Sequence, residues 1–337
     1  MKQVLILAIL ISSLKSFSIK KDSILPLFED LKKRTLLVCL EKEDAKYIEK
    51  LTKKQNESEL KFYKKALQLT NENFVMAVKN FWTLNTKIKF ILTDSLDWYT
   101  QNNSPEYAYL TFRESSIHMG GAINVGIENI QSVSNMGLKL YLCGRKMPIA
   151  TCIFPVDEVG HPLPVDEKKD NILYSENYVS APKLIFVIHR FNWLYLDALK
   201  NPKITQENAI YTGGNDFNRI EELKSQTIYV RLHDCEKNFD LEKVKKYYPY
   251  AIKIVSDDEF EKAMMNKEPN VVCIFILVAG GSTMGNETAS ITRMIYMQSA
   301  VNASDGSITT CFAGNFGFCN DVAAAYGKYI KKFEKKK

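Results

Sequence analysis

Residues 88–112, "IKFILTDSLDWYTQNNSPEYAYLTF", have a counterpart in the same chain at residues 252–276, "IKIVSDDEFEKAMMNKEPNVVCIFI", without gaps and at a constant offset of 164 positions. Each stretch opens on a β-rich run, Ile88–Leu92 or Ile252–Val255. A polar, acidic start comes next (Thr93 and Asp94; Ser256 to Asp258), of the kind that begins a helix. A short amphipathic helix then carries Leu96, Trp98 and Tyr99, or Phe260, Ala263 and Met264. Asn102 and Pro105, or Asn266 and Pro269, stop it. A second apolar run, Tyr107–Phe112 or Val271–Leu277, closes each unit.

The flanks extend the correspondence. "VKNFW" (residues 78–82) precedes the first unit and "VKKYY" (residues 244–248) the second, each reading as the aromatic end of an amphipathic helix. Farther upstream lie two strand candidates, "TLLVCL" (residues 35–40) and "TIYVRL" (residues 227–232). Downstream, one hairpin turns near Gly144–Lys146 and the other at Asp305-Gly306, a favoured hairpin dipeptide. Both second arms contain Thr-Cys followed closely by Phe: Thr151, Cys152 and Phe154, then Thr310, Cys311 and Phe312. A helix ends each copy, at 183–200 and 321–333. The first copy carries an extra charged helical segment near 42–77.

The fold class expected is therefore α/β: two related strand-helix-strand-helix-strand-hairpin-helix modules, with mixed sheets and helices packed on them. Whether the two sheets merge into one stays open. Residues 1–18 read as a signal peptide, 19–33 as an N-terminal lead-in and 34–200 as the first module. A linker at 201–225, containing Pro202, Gly213 and Gly214, leads to the second module at 226–335.

The signal peptide rests on Lys2, the apolar run Val4–Leu14, and the small residues Ser16 and Ser18 before a cut at Ile19. That run is too short to span about 30 Å of hydrocarbon comfortably; retention as an anchor is the alternative. Export to the periplasm or beyond is the expectation, with no transmembrane span after signal removal. The net charge of +6 drops to about +4 without Lys2 and Lys15, an ordinary surface for 337 residues. The basic end "KKFEKKK" reads as a solvated tail, and no aromatic-basic module accompanies it, so no nucleic-acid partner is expected. Seven cysteines would enter an oxidising compartment with at least one left unpaired. Cys39 and Cys273 sit in apolar runs as small hydrophobes, and Cys311 with Cys319 is the conceivable pair. There is no CxxC and the four histidines are scattered, so no metal site or cofactor is expected.

Catalytic signatures are sparse. His233, Asp234 and Cys235 lie at the end of a strand, where α/β enzymes place catalytic groups. Three neighbours on one turn cannot easily set a base across from a thiol, and a polar strand exit is the plainer reading. Gly280, Gly281 and Ser282, in "GGSTMG" (residues 280–285), are the candidate anion cradle, but the residues after it are strand-like, which favours a flexible connection. His118 and His161 lie in loops without an identifiable partner. His189 rides on a helix apolar over most of its surface, which implies deep burial or a homo-oligomer formed through residues 183–200.

With the repeat in place, "RTLLVCLE", "VKNFWTLN", "IKFILTDS", "PEYAYLTF" and "VKKYYPYAIKIVSDDEFEKAM" make the chain resemble a group of exported Bacteroidota-type bacterial proteins of unassigned activity. The resemblance is weakest over 115–170 and implies no catalytic residue. By fold alone, the modules are also similar to the amino-terminal module of the Tol system's soluble component. The expected function is an exported soluble binding or scaffold protein of the cell envelope, acting on an envelope protein or small ligand. A hydrolase with a distributed site near His233 and Gly280–Gly285 is the alternative.

Overall fold

The computed structural model describes residues 23–101, 105–117, 133–155, 179–205, 219–235, 239–286, 289–314 and 320–335. The expected signal segment, His118, His161, Cys319 and most of the proposed linker lie outside them. Helix α1 (Leu25–Lys33) leads into a first module of β1 (Thr35–Leu40), α2 (Ala45–Lys53), α3 (Glu57–Phe81), β2 (Ile88–Leu92), α4 (Leu96–Thr100), β3 (Tyr107–Ile117), β4 (Val133–Leu142), β5 (Ala150–Ile153) and α5 (Ala181–Lys200). The second module runs β6 (Thr227–Arg231), α6 (Leu241–Lys245), β7 (Ile252–Val255), α7 (Asp257–Met265), β8 (Val271–Asn286), β9 (Ala289–Asn302), β10 (Ile308–Gly314) and α8 (Asn320–Glu334).

Local chemistry sets the helix starts. Asn56 caps α3: its side-chain Oδ1 accepts from the Glu59 backbone N–H, while its Nδ2 donates to the Glu59 carboxylate. Ser256 caps α7, whose first turn holds Asp257, Asp258 and Glu259 against the positive end of the helix.

The modules have one topology. The first sheet is ordered β2-β1-β3-β4-β5 and the second β7-β6-β8-β9-β10, and in each the first two pairings are parallel and the last two antiparallel. The register agrees residue for residue. Leu36 opposes Ile88 as Ile228 opposes Ile252, and Thr35 opposes Tyr107 as Thr227 opposes Val271. Leu140 opposes Ala150 as Ala300 opposes Thr310.

That register corrects one expected match. Cys152 opposes Leu138, whereas Cys311 opposes Ser299, the counterpart of Lys139. The Thr-Cys pairs are thus shifted by one residue, and a period of two puts the two cysteines on opposite faces. The second hairpin also carries a register shift of its own, between Ile308 and Thr310.

The sheets do not merge; they stack, with helices between them. One face of the first sheet (Leu36, Val38, Leu110, Leu140) packs on Phe74, Ala77 and Val78 of α3 and on α5. Its other face is covered in part by α4 through Leu96 and Tyr99, while Trp98 of the same helix points outward, 70% exposed. The second sheet lays its back face against α5: Phe275 meets Phe186 of α5 and Phe260 of α7 at ring-centroid distances of 4.8 and 5.2 Å. Its front face (Val230, Val272, Ile274) packs on α6 and α8 through Val244, Tyr248, Val322 and Tyr326.

Helix α5 is therefore an internal layer. Most of its breadth of apolar surface is met within the chain, the deep burial that is one of the two readings of 183–200. The lead-in also joins the core, since α1 buries Phe28 and Leu31, and so does the described end of the proposed linker, a 3-10 turn (Ile220–Ser225) burying Ile220 and Leu223.

The joint between modules is built around the β9–β10 turn. Gly306 has φ +72° and lies so close to α5 that a Cβ there would come within 1.9 Å of His189 Cγ. Trp193 Nε1 donates to the Asp305 backbone oxygen at 3.4 Å. Lys267, after α7, donates to the Asn80 backbone oxygen and lies 4.8 Å from the centre of the Phe81 ring, which meets the His189 ring edge-on. Gly306→Ala should cost about 3 kcal/mol in urea unfolding at pH 7, from the left-handed backbone and the collision with His189 together.

Burial pulls the His189 imidazole down to about 4, with Lys267 working the same way and Asp305 against it, and its Nε2 finds no hydrogen-bond partner among the described residues. In the unfolded chain the ring would titrate near 6.5, so acid favours unfolding: this stability is complete above that pH and is lost as the pH falls toward 4. Between pH 7 and 4.5 the loss from this residue should be about 2.5 kcal/mol. Urea midpoints for His189→Leu should fall correspondingly less over that range.

Candidate functional site

The residues at the end of β6 come together for structural reasons. Asp234 is fully buried and receives Arg231 Nε at 2.6 Å and Nη2 at 3.2 Å. The Arg231 guanidinium lies 5.0 Å from the centre of the Phe260 ring, so this ion pair anchors β6 to α7. His233 stands 3.7 Å from Asp234 Oδ1 and 3.5 Å from Asp257 Oδ1, contacts too long for a tight hydrogen bond. The Cys235 thiol donates to the Arg231 backbone oxygen at 3.5 Å, and burial, followed by the charge of Asp234, pushes it up to about 12. A thiol in that state stays protonated at neutral pH and is a poor nucleophile. Asp234 is committed to Arg231 and is not available to orient an imidazole.

Gly280, Gly281 and Ser282 lie within β8, opposite Ile295, Met294 and Arg293 of β9. They belong to a two-stranded ribbon running beyond the rest of the sheet, with a register shift between Val278 and Gly280. The stretch is neither a flexible connection nor a loop before a helix, and its amides run along a ladder instead of converging on a point.

At the matching end of β1, Glu41 belongs to no motif legible in the sequence. Burial raises its carboxyl to about 6 against the pull of Arg113, and its backbone is held at both ends by the Asn71 side chain. Only its place at a strand end could have pointed to it. No group of three His, Cys, Asp or Glu side chains among the described residues could hold a metal ion.

A different feature gathers side chains around an open volume. On the outer surface of the second module, a cleft of about 700 Å³ is lined by Lys328, Lys331, Lys332 and Lys335, with Tyr247, Tyr329 and Ala324 completing it. The four lysines recur at i, i+3, i+4 and i+7, so α8 and the residue just after it, Lys335, carry them on one stripe, and like charges at that spacing repel. Among the described residues, no carboxylate lines the cleft. Glu334, on the same helix, is engaged with Lys224 at 2.5 Å. Tyr247 is 55% exposed and comes from the turn after α6, brought there by the close fit of Gly327, whose Cβ would lie 1.9 Å from the Tyr247 backbone oxygen. Lys332 Nζ sits 5.9 Å from the centre of the Tyr329 ring. Cations and aromatic faces in one concavity are suited to an anionic ligand with carboxylates or phosphates.

Three lysines of the expected solvated tail, Lys331, Lys332 and Lys335, thus line a cleft while remaining exposed. The lysine spacing was visible in the sequence; the wall supplied by Tyr247 was not.

No family model, curated protein or solved structure matches this chain. No helix among the described residues is long and apolar enough to cross a membrane.

The structural reading of the β6 end has a direct check. Arg231→Met should strand the Asp234 carboxylate in the core and lower stability by about 3–5 kcal/mol in urea unfolding. Cys235→Ala should cost less than about 1.5 kcal/mol.

Proposed function

We propose that this is an exported binding or scaffold protein of the cell envelope, and that the lysine-lined cleft on α8 is the surface with which it holds an anionic partner. The observation that carries the reading is the cleft itself: four lysines and two tyrosines from two separate segments around about 700 Å³, with no acid among the described residues that line it. A stripe of like charge weakens the helix bearing it by a few tenths of a kcal/mol per pair, and an anion relieves that cost. Export is supported by the sequence of residues 1–18.

The hydrolase reading is weaker, because its thiol is held protonated and its acid is tied to Arg231. The proposal is tested on an immobilised polyanion such as heparin. Lys328→Glu/Lys331→Glu/Lys332→Glu should elute at markedly lower salt than the parent protein. Lys46→Glu/Lys50→Glu, a reversal of exposed lysines on α2, should shift elution much less. Equal shifts per charge would show that only net charge matters, and the cleft would lose its role.

A further inference from the structure

The cleft has an occupied counterpart inside the same molecule. In the first module Phe81 ends α3, and its backbone oxygen accepts from Asn192 Nδ2 of α5 at 2.7 Å. In the second, Tyr247 holds the same place in "VKKYY" that Phe81 holds in "VKNFW", and its backbone oxygen lies against Gly327 of α8. Asn192 and Gly327 thus mark one point on the two equivalent helices. Counting from it, His189 corresponds to Ala324 and Trp193 to Lys328. The residues just before the marker, Phe191 and Tyr326, are both buried in their own module's core, which supports the alignment.

The consequence is specific. Phe81, His189 and Trp193 are the residues around the Asp305–Gly306 turn in the joint. Tyr247, Ala324 and Lys328 line the cleft. The cleft is therefore the same docking position, repeated at the end of the stack and left with a basic lining.

We propose that this cleft docks an acidic β-hairpin turn of a partner protein, as the first module docks the Asp305–Gly306 turn of the second. Three features favour that occupant. Ala324 leaves room where His189 fills the joint. Tyr247 presents an exposed ring where Phe81 presents a buried one. Lysines 328, 331 and 332 stand where carboxylates at a turn could reach them.

A second copy of this chain is disfavoured. The register that matches Leu140 with Ala300 and Ala150 with Thr310 matches Arg145 and Lys146 with Asp305 and Gly306. A copy stacked in the same manner would bring that basic turn onto the lysines, and like charge would reject it. The partner is thus a different chain with an acidic turn. This inference rests on the cleft being an anion site, and its test separates the two.

The probe is a cyclised peptide carrying residues 301–309 of this chain, "VNASDGSIT", with a second acidic residue in place of Ser304, titrated at up to millimolar concentration into the isotope-labelled protein at low salt. The expected result is amide shifts confined to α8 and residues 244–250. Affinity should fall about tenfold or more for Lys328→Glu/Lys331→Glu/Lys332→Glu, shown to be folded by its thermal midpoint, and for a peptide with lysines at both acidic positions. Binding unaffected by either change overturns the proposal. If the peptide fails while inorganic polyphosphate, a DNA oligonucleotide or phosphatidylglycerol vesicles bind through the same lysines, the acidic turn is wrong and the anion site stands. If no anionic probe binds, both fall.

Discussion

Helix α5 is apolar around nearly its whole circumference, and a single sheet can cover only one side of it. Phe191 turns toward Trp82 within the first module, at a ring-centroid distance of 6.0 Å, while Phe186 turns toward Phe275 and His189 toward Gly306 in the second. Left uncovered, the second side would expose several large side chains, each worth about 1.5–3 kcal/mol on burial. This dictates the arrangement of the two modules: the second sheet must lie against α5, with α7 beside α5 and only α6 and α8 on the far side. The same requirement explains how duplicated sheets diverged. Tyr109, Thr111 and Tyr141 on the face of the first sheet turned away from α5 occupy the register positions of Cys273, Phe275 and Val301 in the second, where α5 covers them. Tyr109 and Tyr141 stack on each other at 4.7 Å; their counterparts are apolar because they meet a helix instead.

Helix α8 ends the stack by reversing the chemistry of α5. It keeps the inward residues Val322, Ala323, Tyr326 and Ile330. On its other side Lys328 stands where α5 has Trp193, with Lys331, Lys332 and Lys335 beyond it. Stacked-repeat proteins need a polar outer surface on the terminal unit to remain in solution. A mixture of charges would meet that need, whereas α8 concentrates one sign around a concavity, which solubility alone does not explain.

The end of β6, a place where an α/β fold can carry chemistry, is occupied here by structural tasks. Arg231 and Asp234 form an ion pair nearly out of contact with water, and removing one partner of such a pair is costlier than never having had it. The Cys235 thiol is held by the carbonyl of that same arginine. Proximity in sequence brought His233, Asp234 and Cys235 together without giving them a shared geometry.

The sequence alone determined the repeated order of elements, the place of most strands and helices, the hairpin turns and the start of α7. These depend on residues within a few positions of one another, such as Ser256 with Glu259 or Asp305 with Gly306. The helical spacing of the lysines at the end of the chain was also legible there, though they read as a solvated tail and nothing told what faces them. Tertiary structure alone decided that α5 lies between two sheets, that the Thr-Cys pairs differ by one residue in register, that Gly280–Ser282 extend a ladder, and that Tyr247 walls a cleft. Each of these turns on which of two chemically plausible surfaces meets a distant partner. That choice is set by packing between segments distant in sequence, and hydrophobic periodicity, which reports only that a face is buried, does not name what buries it.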